Sequence, residues 1–411
     1  VHAVHVPIAW LGADDAKAGH VSVVSTATNT VVADVAVNPI ADSGFKALGN
    51  ALERTAPLPA TDEANFKFVT GAYPNQLNNI AIKGGYAFIP NTGASPNGPF
   101  RFDVNTQSLL SVIDRGARAD AGQTINLHAA VKAQTNPEKL FVTQPWAMAF
   151  KHQRDEAYVV SAASNHLVKV VVNPASGAAT VQSDPADATR VLQIKVGKNP
   201  RGIVINSTDT RAYVHNFVSR DVSVVALAAA REDVVATLPS AALPAAGTQD
   251  EKVHIGKELY NTSIGEFDAA PGTTAPLVGR MSNNGWGSCA SCHTPKGLSD
   301  NVVWIFPSGP KRTIPQHTDF DQTVAARNVQ RALNWSGERD EEEDFELNIR
   351  AVSGGQGLIV LADGVTQDKN VVNLRQAVDP QLPSGGRNQL KVRGVPAWDA
   401  IVGATVRRFR P

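Results

Sequence analysis

The chain has 411 residues, enough for about two or three domains that each bury a core. Lysine plus arginine number 38, as do aspartate plus glutamate, so no net charge favours nucleic acid or an anionic membrane. Glycine (32) and proline (25) are abundant and charged residues make up only 18%, which is typical of turn-rich β-proteins. No apolar run reaches the roughly 18 residues needed to cross a bilayer, so we expect no transmembrane segment here.

Residues 1–240 predict a series of short β-strands. Val21–Val37 contains two β-branched runs around a Thr-Ala-Thr-Asn-Thr turn, which indicates a strand–turn–strand unit. Similar Val-rich hairpins recur at 99–113, 166–177 and 221–227, each after a pair of shorter runs that includes a tyrosine. Four short strands in a unit of roughly forty residues are typical of propeller blades.

The units that begin near Asn75, Pro145 and Pro200 resemble the YVTN-type seven-bladed β-propeller family, most closely at Asn199–Ile203. A β-sandwich with coincidentally similar hairpins is the weaker interpretation, because four similar units follow one another. Three full units and a partial one are fewer than a closed ring usually contains. We therefore expect the mature protein to extend upstream of Val1, with further blades that close the ring.

The segment Gly285–His293 contains the sequence Cys289-Ala290-Ser291-Cys292-His293, the attachment signal for c-type haem. Two thiols at this spacing form thioethers to both vinyl groups of one porphyrin, and the following histidine supplies an axial nitrogen to the iron. The chain has only two cysteines, both in this motif. A zinc site would need further soft ligands and a thioredoxin-like site a βαβ context, so the sequence predicts one covalent haem c.

The flanks of this motif resemble the bacterial di-haem cytochrome c peroxidase family, which includes the methylamine-dehydrogenase maturation enzyme. The resemblance rests on a helix-like stretch at His254–Tyr260 and on Arg280–Asn301 around the cysteines. It implies a mainly α-helical c-type cytochrome domain at 251–411, after the β-propeller that the repeats predict at 1–240 and a linker that the Ala, Pro, Gly and Thr residues of 241–250 indicate. Val392–Pro411 looks like the helix that leads to that family's second haem domain, but a second attachment motif does not follow.

Several residues are candidates for completing the haem site. The family resemblance favours His317, on a Pro-bounded loop, as the distal ligand of the iron metal centre; Met281 is the runner-up and His254 a weaker candidate. Bis-histidine ligation implies a low potential and methionine ligation a higher one. Trp286, Trp304, Phe306 and Leu298 are candidates for an apolar wall that excludes water from the ring. Arg312 is a candidate for pairing with a haem propionate.

Two further patterns, an acidic run and the histidines of the repeats, bear on metal binding. The acidic run in Asn334–Arg350 is more typical of a solvated helix; a cation site, with calcium as the candidate ion, and a docking patch for a basic partner are the alternatives. The histidines of residues 1–240 fall at different blade positions, so a copper site on a propeller axis is not favoured.

Together these patterns predict an extracytoplasmic c-type cytochrome that transfers electrons, with the propeller as scaffold or docking surface. It would be periplasmic or at the bacterial cell surface, would exchange electrons with a redox partner protein, and could belong to a larger assembly. The alternative is a haem peroxidase or oxidase of the di-haem type, which would need an open or labile sixth position and a second haem elsewhere. No cleavable signal precedes Val1 in this sequence, so we expect the leader to have been removed or to lie upstream.

Overall fold

The computed structural model is built mainly from antiparallel β-sheets. It describes residues 2–6, 19–47, 68–95, 101–264, 281–293, 298–306, 309–316, 345–355, 357, 359–360, 389–392 and 399–401.

The first two large sheets and a small two-stranded sheet come from residues before 127. The first has the order β1–β2–β3: β1 (His2–Val6), β2 (Gly19–Ser25) and β3 (Thr30–Val37). A two-stranded sheet, β4 (Lys46–Ala47) and β5 (Phe68–Val69), follows. The second large sheet contains β6 (Tyr73–Asn75), β7 (Ala81–Lys83), β8 (Tyr86–Ala94), β9 (Thr106–Asp114), β10 (Ala119–Asp120) and β11 (Ile125–Asn126). Helices α1 (Phe102–Asn105) and α2 (Leu127–Ala133) flank β9 and β11.

The third and fourth sheets follow the order of the chain. The third contains β12 (Pro145–Phe150), β13 (Glu156–Ser161), β14 (His166–Val172) and β15 (Ala179–Val181), with β18 (Gln193–Lys195) also on β14. A hairpin of β16 (Ser183–Asp184) and β17 (Asp187–Val191) lies between β15 and β18. The fourth sheet is β19 (Pro200–Ile205), β20 (Arg211–Asn216), β21 (Asp221–Ala226) and β22 (Asp233–Pro239).

The consecutive sheets are arranged like the blades of a propeller. Strand β12, the first of its sheet, lies beside β7 and β8 of the preceding sheet and beside β19 of the following one. Separate apolar clusters fill the spaces between sheets: one around Ile89 joins the first two, and one around Tyr158 and Val214 joins the last two. The coarse prediction of propeller-like repeats is therefore confirmed.

The predicted mainly α-helical cytochrome domain is wrong for the described residues after 250. They form α3 (Gln249–Asn261), a 3-10 turn (Cys289–Ser291), β23 (Val303–Phe306), β24 (Gly309–Arg312), α4 (Phe345–Ala351), β25 (Ile359–Val360), β26 (Gln389–Val392) and β27 (Asp399–Ile401). The expected C-terminal helix is likewise replaced by strands where residues are described.

The physical reason is visible in the residue types. The run Val303–Phe306 is β-branched and aromatic and is followed by the sequence Pro-Ser-Gly-Pro, a composition that favours the hairpin formed with Gly309–Arg312. Strands β25, β26 and β27 then pair antiparallel in a small sheet.

The main apolar core is shared between the propeller-like part and the C-terminal segment. Trp286, Val302 and Trp304 belong to the same buried cluster as Phe88 and Val159 from the second and third sheets. Because burial of an aromatic side chain contributes on the order of 2–3 kcal/mol, the C-terminal segment is an integral part of this core.

Candidate functional site

The Cys-x-x-Cys-His segment folds as a tight 3-10 turn over Cys289–Ser291. Two hydrogen bonds close it: the Ser288 amide donates to Ser291 Oγ at 3.1 Å, and the Ser291 amide donates to the Ser288 carbonyl at 3.0 Å in the pattern of a 3-10 turn. The His293 amide donates to the Cys289 carbonyl at 3.1 Å. Cys289 and Cys292 are half-buried with free thiols, so the turn presents two sulfur atoms and an imidazole from five consecutive residues.

Three side-chain amides of the propeller-like part bind this turn and helix α3, which packs against it. Gln144 donates through Nε2 to the Ala290 carbonyl, between the two cysteines, and Gln76 donates to the Ser291 carbonyl at 2.5 Å. Asn199 donates at 2.9 Å to the carbonyl of Asn261, the last residue of α3. All three amide residues are buried.

These three amide residues occupy equivalent places in successive repeats. Each lies seven residues before a residue at the end of a strand. Lys83 ends β7, and Lys151 and Asn206 directly follow β12 and β19. Each also has a left-handed backbone, with φ of 49° at Gln76 and 53° at both Gln144 and Asn199. Such a conformation turns the chain sharply before the strand and exposes the amide at one end of the repeat array. We call Gln76, Gln144 and Asn199 the amide seat.

Further hydrogen bonds fix the residues before the turn. Thr143 Oγ1 lies 2.6 Å from the Gly285 carbonyl and 2.9 Å from that of Trp286, and Ser164 donates to Gly285 at 3.0 Å. The Trp286 indole N–H donates to the Thr106 carbonyl at 2.8 Å. The segment therefore satisfies its buried carbonyl groups with partners from the second and third sheets.

His293 has the hydrogen bond that a metal-ligating histidine needs. Its Nδ1 lies 2.9 Å from the carbonyl oxygen of Ile314, just beyond β24. A bond from Nδ1–H to a carbonyl fixes the ring orientation and leaves the Nε2 lone pair for a metal. Burial lowers the pKa of His293 to about 4, although the carbonyls of Ile314 and Leu298 oppose the shift, so the ring is neutral at pH 7.

The thiols and a neighbouring carboxyl are shifted toward their neutral forms. Burial raises the pKa of Cys289 to about 11. Burial and the Asp300 carboxylate raise the pKa of Cys292 well above its usual value. This direction is opposite to that of a reactive dithiol centre, in which the pKa is lowered. Burial also raises the pKa of Asp300 to about 7, although hydrogen bonds from Thr313 and the Val302 amide act to lower it.

The residues present suit a covalent haem: the sulfur spacing, the oriented imidazole and an apolar cluster against Cys292 are all found at one place. Trp304 is buried in that cluster and its N–H donates to Thr313 Oγ1 at 3.0 Å. Trp286 packs against Phe141, with ring centroids 3.9 Å apart, and against His128 at 4.3 Å. Trp286 thus anchors the turn in the propeller core.

The remaining predicted site residues are distributed as follows. Arg312 is exposed on β24, and Met281 is buried. His317 lies outside the described residues, as does most of the acidic run proposed for calcium. His254 lies half-buried on α3, which packs against the 3-10 turn, and its Nδ1 has no hydrogen-bond partner.

No group of three or more potential metal ligands of the His, Cys, Asp and Glu types is found within the described ranges. His128 and His166 are buried in the core, and His152 pairs with Asp209 at 3.0 Å.

A cavity of about 590 Å³ lies between the third and fourth sheets, at the ends of the strands away from the amide seat. Its wall carries a buried ionic network. Glu232 accepts from Lys169 at 2.9 Å and from Tyr158 at 2.8 Å, and Glu156 lies 2.6 Å from Lys151. Burial alone would lower the pKa of Lys169, but its bonds to the two carboxylates raise it, so the network is ionised.

Comparisons with known proteins add no identification. No protein family matches the sequence, and no curated protein is recognisably similar to it. None of the described helices is long and apolar enough to cross a membrane.

Three solved structures with some likeness to this chain have TM-scores between 0.28 and 0.30. A functionally unknown protein from Desulfotomaculum acetoxidans is 10% identical over 55% of this chain and 64% of its own, with a TM-score of 0.28. The periplasmic gluconolactonase PpgL from Pseudomonas aeruginosa is 12% identical over 60% and 69%, with a TM-score of 0.30. Hydrazine synthase from Kuenenia stuttgartiensis is 11% identical over 53% and 70%, with a TM-score of 0.28. The chain spans less than two thirds of the first structure, and likeness at this level carries no argument.

Sequence reasoning did not find the amide seat, Ile314 or Asp300. A signal for the seat was available, because an amide residue precedes a proline or leucine at the same place in three repeats. Ile314 acts through its backbone carbonyl, so its side chain gives no signal.

Proposed function

We propose that this chain is an extracytoplasmic c-type cytochrome that transfers electrons through one haem bound covalently at Cys289 and Cys292. The observation that carries the proposal is the His293–Ile314 hydrogen bond, because it prepares Nε2 of the motif's own histidine for a metal. Since haem of this type is attached outside the cytoplasm, the location would be periplasmic or at the cell surface.

In this proposal each part of the site has a defined task. Cys289 and Cys292 would hold the haem covalently through their thiols. His293, whose ring the Ile314 carbonyl orients, would supply a nitrogen to the iron. The bound haem would supply a one-electron couple. Trp304 and the apolar cluster against Cys292 exclude water from this side.

The propeller-like part acts as the scaffold of the electron-transfer site. Thr143 binds the backbone before Cys289, and Gln144 and Gln76 of the amide seat bind the backbone after it. These bonds limit movement of the turn between redox states. A rigid support that keeps the ligand set unchanged suits electron transfer. The expected partner is a redox protein that docks where the haem edge is accessible.

The test is production of the chain in the periplasm of a bacterium that attaches haem to a control cytochrome. We expect a covalent haem signal on the denatured chain, a pyridine haemochrome spectrum of a bis-thioether haem, and a dithionite-induced absorption change. The double variant Cys289→Ala/Cys292→Ala should lose the covalent haem, whereas His215→Ala, an exposed site on β20, should retain it.

A chain that emerges without haem while the control cytochrome is loaded would overturn the proposal. A Cys289–Cys292 disulfide found instead by mass spectrometry would favour dithiol chemistry. A high-spin ferric spectrum together with turnover of hydrogen peroxide would replace electron transfer by the peroxidase alternative.

A further inference from the structure

A cluster of positive side chains surrounds Phe217, between the fourth sheet and α3. We call Lys198, Arg201, Arg220 and Lys257 the cation cluster. The Arg201 guanidinium lies 4.0 Å from the centroid of the Phe217 ring and 4.5 Å from that of Trp146. The Lys257 ammonium lies 3.4 Å from the same Phe217 centroid. Two cations thus share one aromatic ring, an arrangement that holds them close together.

The cluster carries a local excess of positive charge. Glu258 pairs with Lys198 at 2.8 Å, and Arg220 donates to the Ala242 carbonyl at 2.6 Å. Burial lowers the pKa of Arg201 to about 10, which leaves it charged at neutral pH. Burial and the neighbouring Arg220 and Arg201 lower the pKa of Lys257. Mutual repulsion of half-buried cations is relieved by a bound anion.

The orientation of Arg201 is fixed by polar contacts. Its Nε donates to Asn199 Oδ1 at 2.7 Å, and Nη2 donates to Asn261 Oδ1 at 2.8 Å. Asn199 belongs to the amide seat and Asn261 is the last residue of α3. The guanidinium is therefore pre-organised, and because its Nε and Nη2 edge is occupied by two amide oxygens, a carboxylate would bind at the Nη1 end.

The cluster flanks the haem-attachment turn. Helix α3, which carries Lys257, packs against the Cys289–Ser291 turn. Trp146, beneath Arg201, follows Gln144 by two residues, and Gln144 binds the Ala290 carbonyl. The propionates of haem lie across the porphyrin from the vinyl groups, so cations that bind them should flank the cysteine turn and not lie within it.

We propose that Arg201 and Lys257 bind the propionate carboxylates of the haem attached at Cys289 and Cys292. The inference rests on the proposed function, and it replaces Arg312, the sequence-based candidate, which is exposed on β24. Both Arg201 and Lys257 are half-buried and fixed against aromatic rings, which suits a carboxylate of the protein's own cofactor better than the surface of a partner.

The experiment compares reduction potentials of the haem-loaded full chain in Arg201→Gln, Lys257→Gln and the double variant. A cation near the propionates stabilises the reduced haem, so its removal should lower the equilibrium constant for reduction. We expect a decrease of about tenfold for each single variant, equivalent to about 59 mV for one electron. The potentials of both variants should also become more pH-dependent near neutrality, because the propionates lose their cation.

Arg154→Gln is the matched control, since it removes the same charge from an exposed residue beside the opposite cavity. Its potential should change by less than a third of the shift in Arg201→Gln. Lys257→Gln keeps the test valid if Arg201→Gln fails to fold, which far-ultraviolet circular dichroism would reveal.

Unchanged potentials in both variants would overturn the assignment while leaving the proposed function intact. A shift of the reduction potential in Arg312→Gln alone would also overturn the assignment. If the Arg201 and Lys257 variants kept the wild-type potential but were reduced more slowly by an acidic donor protein, the cation cluster would be a docking surface instead. A wild-type chain without covalent haem would instead reject the proposed function, and this inference with it.

Discussion

Gln144, at the start of a propeller strand, donates its side-chain amide to the carbonyl of Ala290, between the two cysteines of the attachment motif. Both residues are buried, so neither group has water as an alternative partner. The contact joins residues 146 positions apart and makes the geometry of the motif depend on the third sheet.

Replacing Gln144 by alanine tests this dependence. We expect the free energy of unfolding to fall by about 1–3 kcal/mol, because a buried carbonyl loses its donor. Urea denaturation followed by tryptophan fluorescence measures the change. Gln182→Ala is the control: its amide donates to Thr180 two residues away at an exposed site, and its effect should be within about 0.5 kcal/mol. Equal effects of the two substitutions would show that the amide seat is not structural.

Gly285, four residues before Cys289, cannot accept a side chain. Its φ is 68°, and an added Cβ would lie 2.7 Å from Leu140 Cδ1 and 3.0 Å from Ile264 Cγ2. Gly285→Ala should therefore lower the free energy of unfolding by about 2–4 kcal/mol through backbone strain and overpacking. Thermal or urea denaturation provides the measurement.

Gly85→Ala is the matched substitution for Gly285→Ala. An added Cβ at Gly85 meets nothing within 4 Å, so its effect should stay within about 0.5 kcal/mol. Wild-type stability in Gly285→Ala would contradict the backbone conformation described for the segment before the cysteines.

His128 should make the protein less stable as the pH falls. Burial lowers its pKa from 6.5 to about 3, despite the hydrogen bond to the Val142 carbonyl. The unfolded chain binds a proton at this residue below pH 6.5 whereas the folded chain does not, so stability decreases from pH 6.5 toward pH 3. Between pH 7 and pH 5 the loss from this residue is about 2 kcal/mol.

The variant His128→Gln removes this contribution. The decrease in unfolding free energy between pH 7 and pH 5 should be smaller than in the wild type by about 2 kcal/mol, whatever the absolute stability of the variant. His215→Gln, at an exposed site, should keep the wild-type pH dependence. Parallel pH profiles for all three proteins would show that His128 titrates normally in the folded state.

Glu232 should be essential to the ionic network on the cavity wall. Its carboxylate binds Lys169 and Tyr158, and Lys151 lies 3.5 Å away. Glu232→Gln leaves two lysines with one carboxylate in a largely buried place, so we expect a loss of about 3 kcal/mol in urea denaturation. Asp155→Asn, which weakens a 3.8 Å pair of Lys83 with Asp155, whose side chain is 42% exposed, should cost less than about 1 kcal/mol. Comparable losses would argue against burial as the cause.

The repeated part of the fold could be predicted because its signal is local. Alternating Val-rich runs and tyrosine-containing strands specify hairpins within a few residues, and hairpins such as Glu156–Ser161 with His166–Val172 form where that pattern occurs. The haem-attachment prediction is also local, since it depends on five consecutive residues. It stays a prediction until the cofactor is measured.

The C-terminal part could not be predicted in the same way. Its resemblance to a helical family covered the surroundings of the cysteines, whereas Val303–Phe306 forms a strand because of its own β-branched and aromatic residues. The contacts that position the motif come from residues 75–199 and depend on tertiary folding. No spacing within the motif encodes the Ile314 carbonyl, which reaches His293 through the turn that follows β24.

Because the amide seat is made from the same left-handed turn in three successive repeats, its donors are equivalent by position and differ only in side-chain length. Exchanging whole blades between these places would preserve a donor at each point of contact with the C-terminal segment. Altering the left-handed turn at Gln76, Gln144 or Asn199 would remove the donor of that blade. The support of the C-terminal segment is thus modular, because each of the three repeats contributes one amide donor: two reach the cysteine turn and one reaches the end of α3.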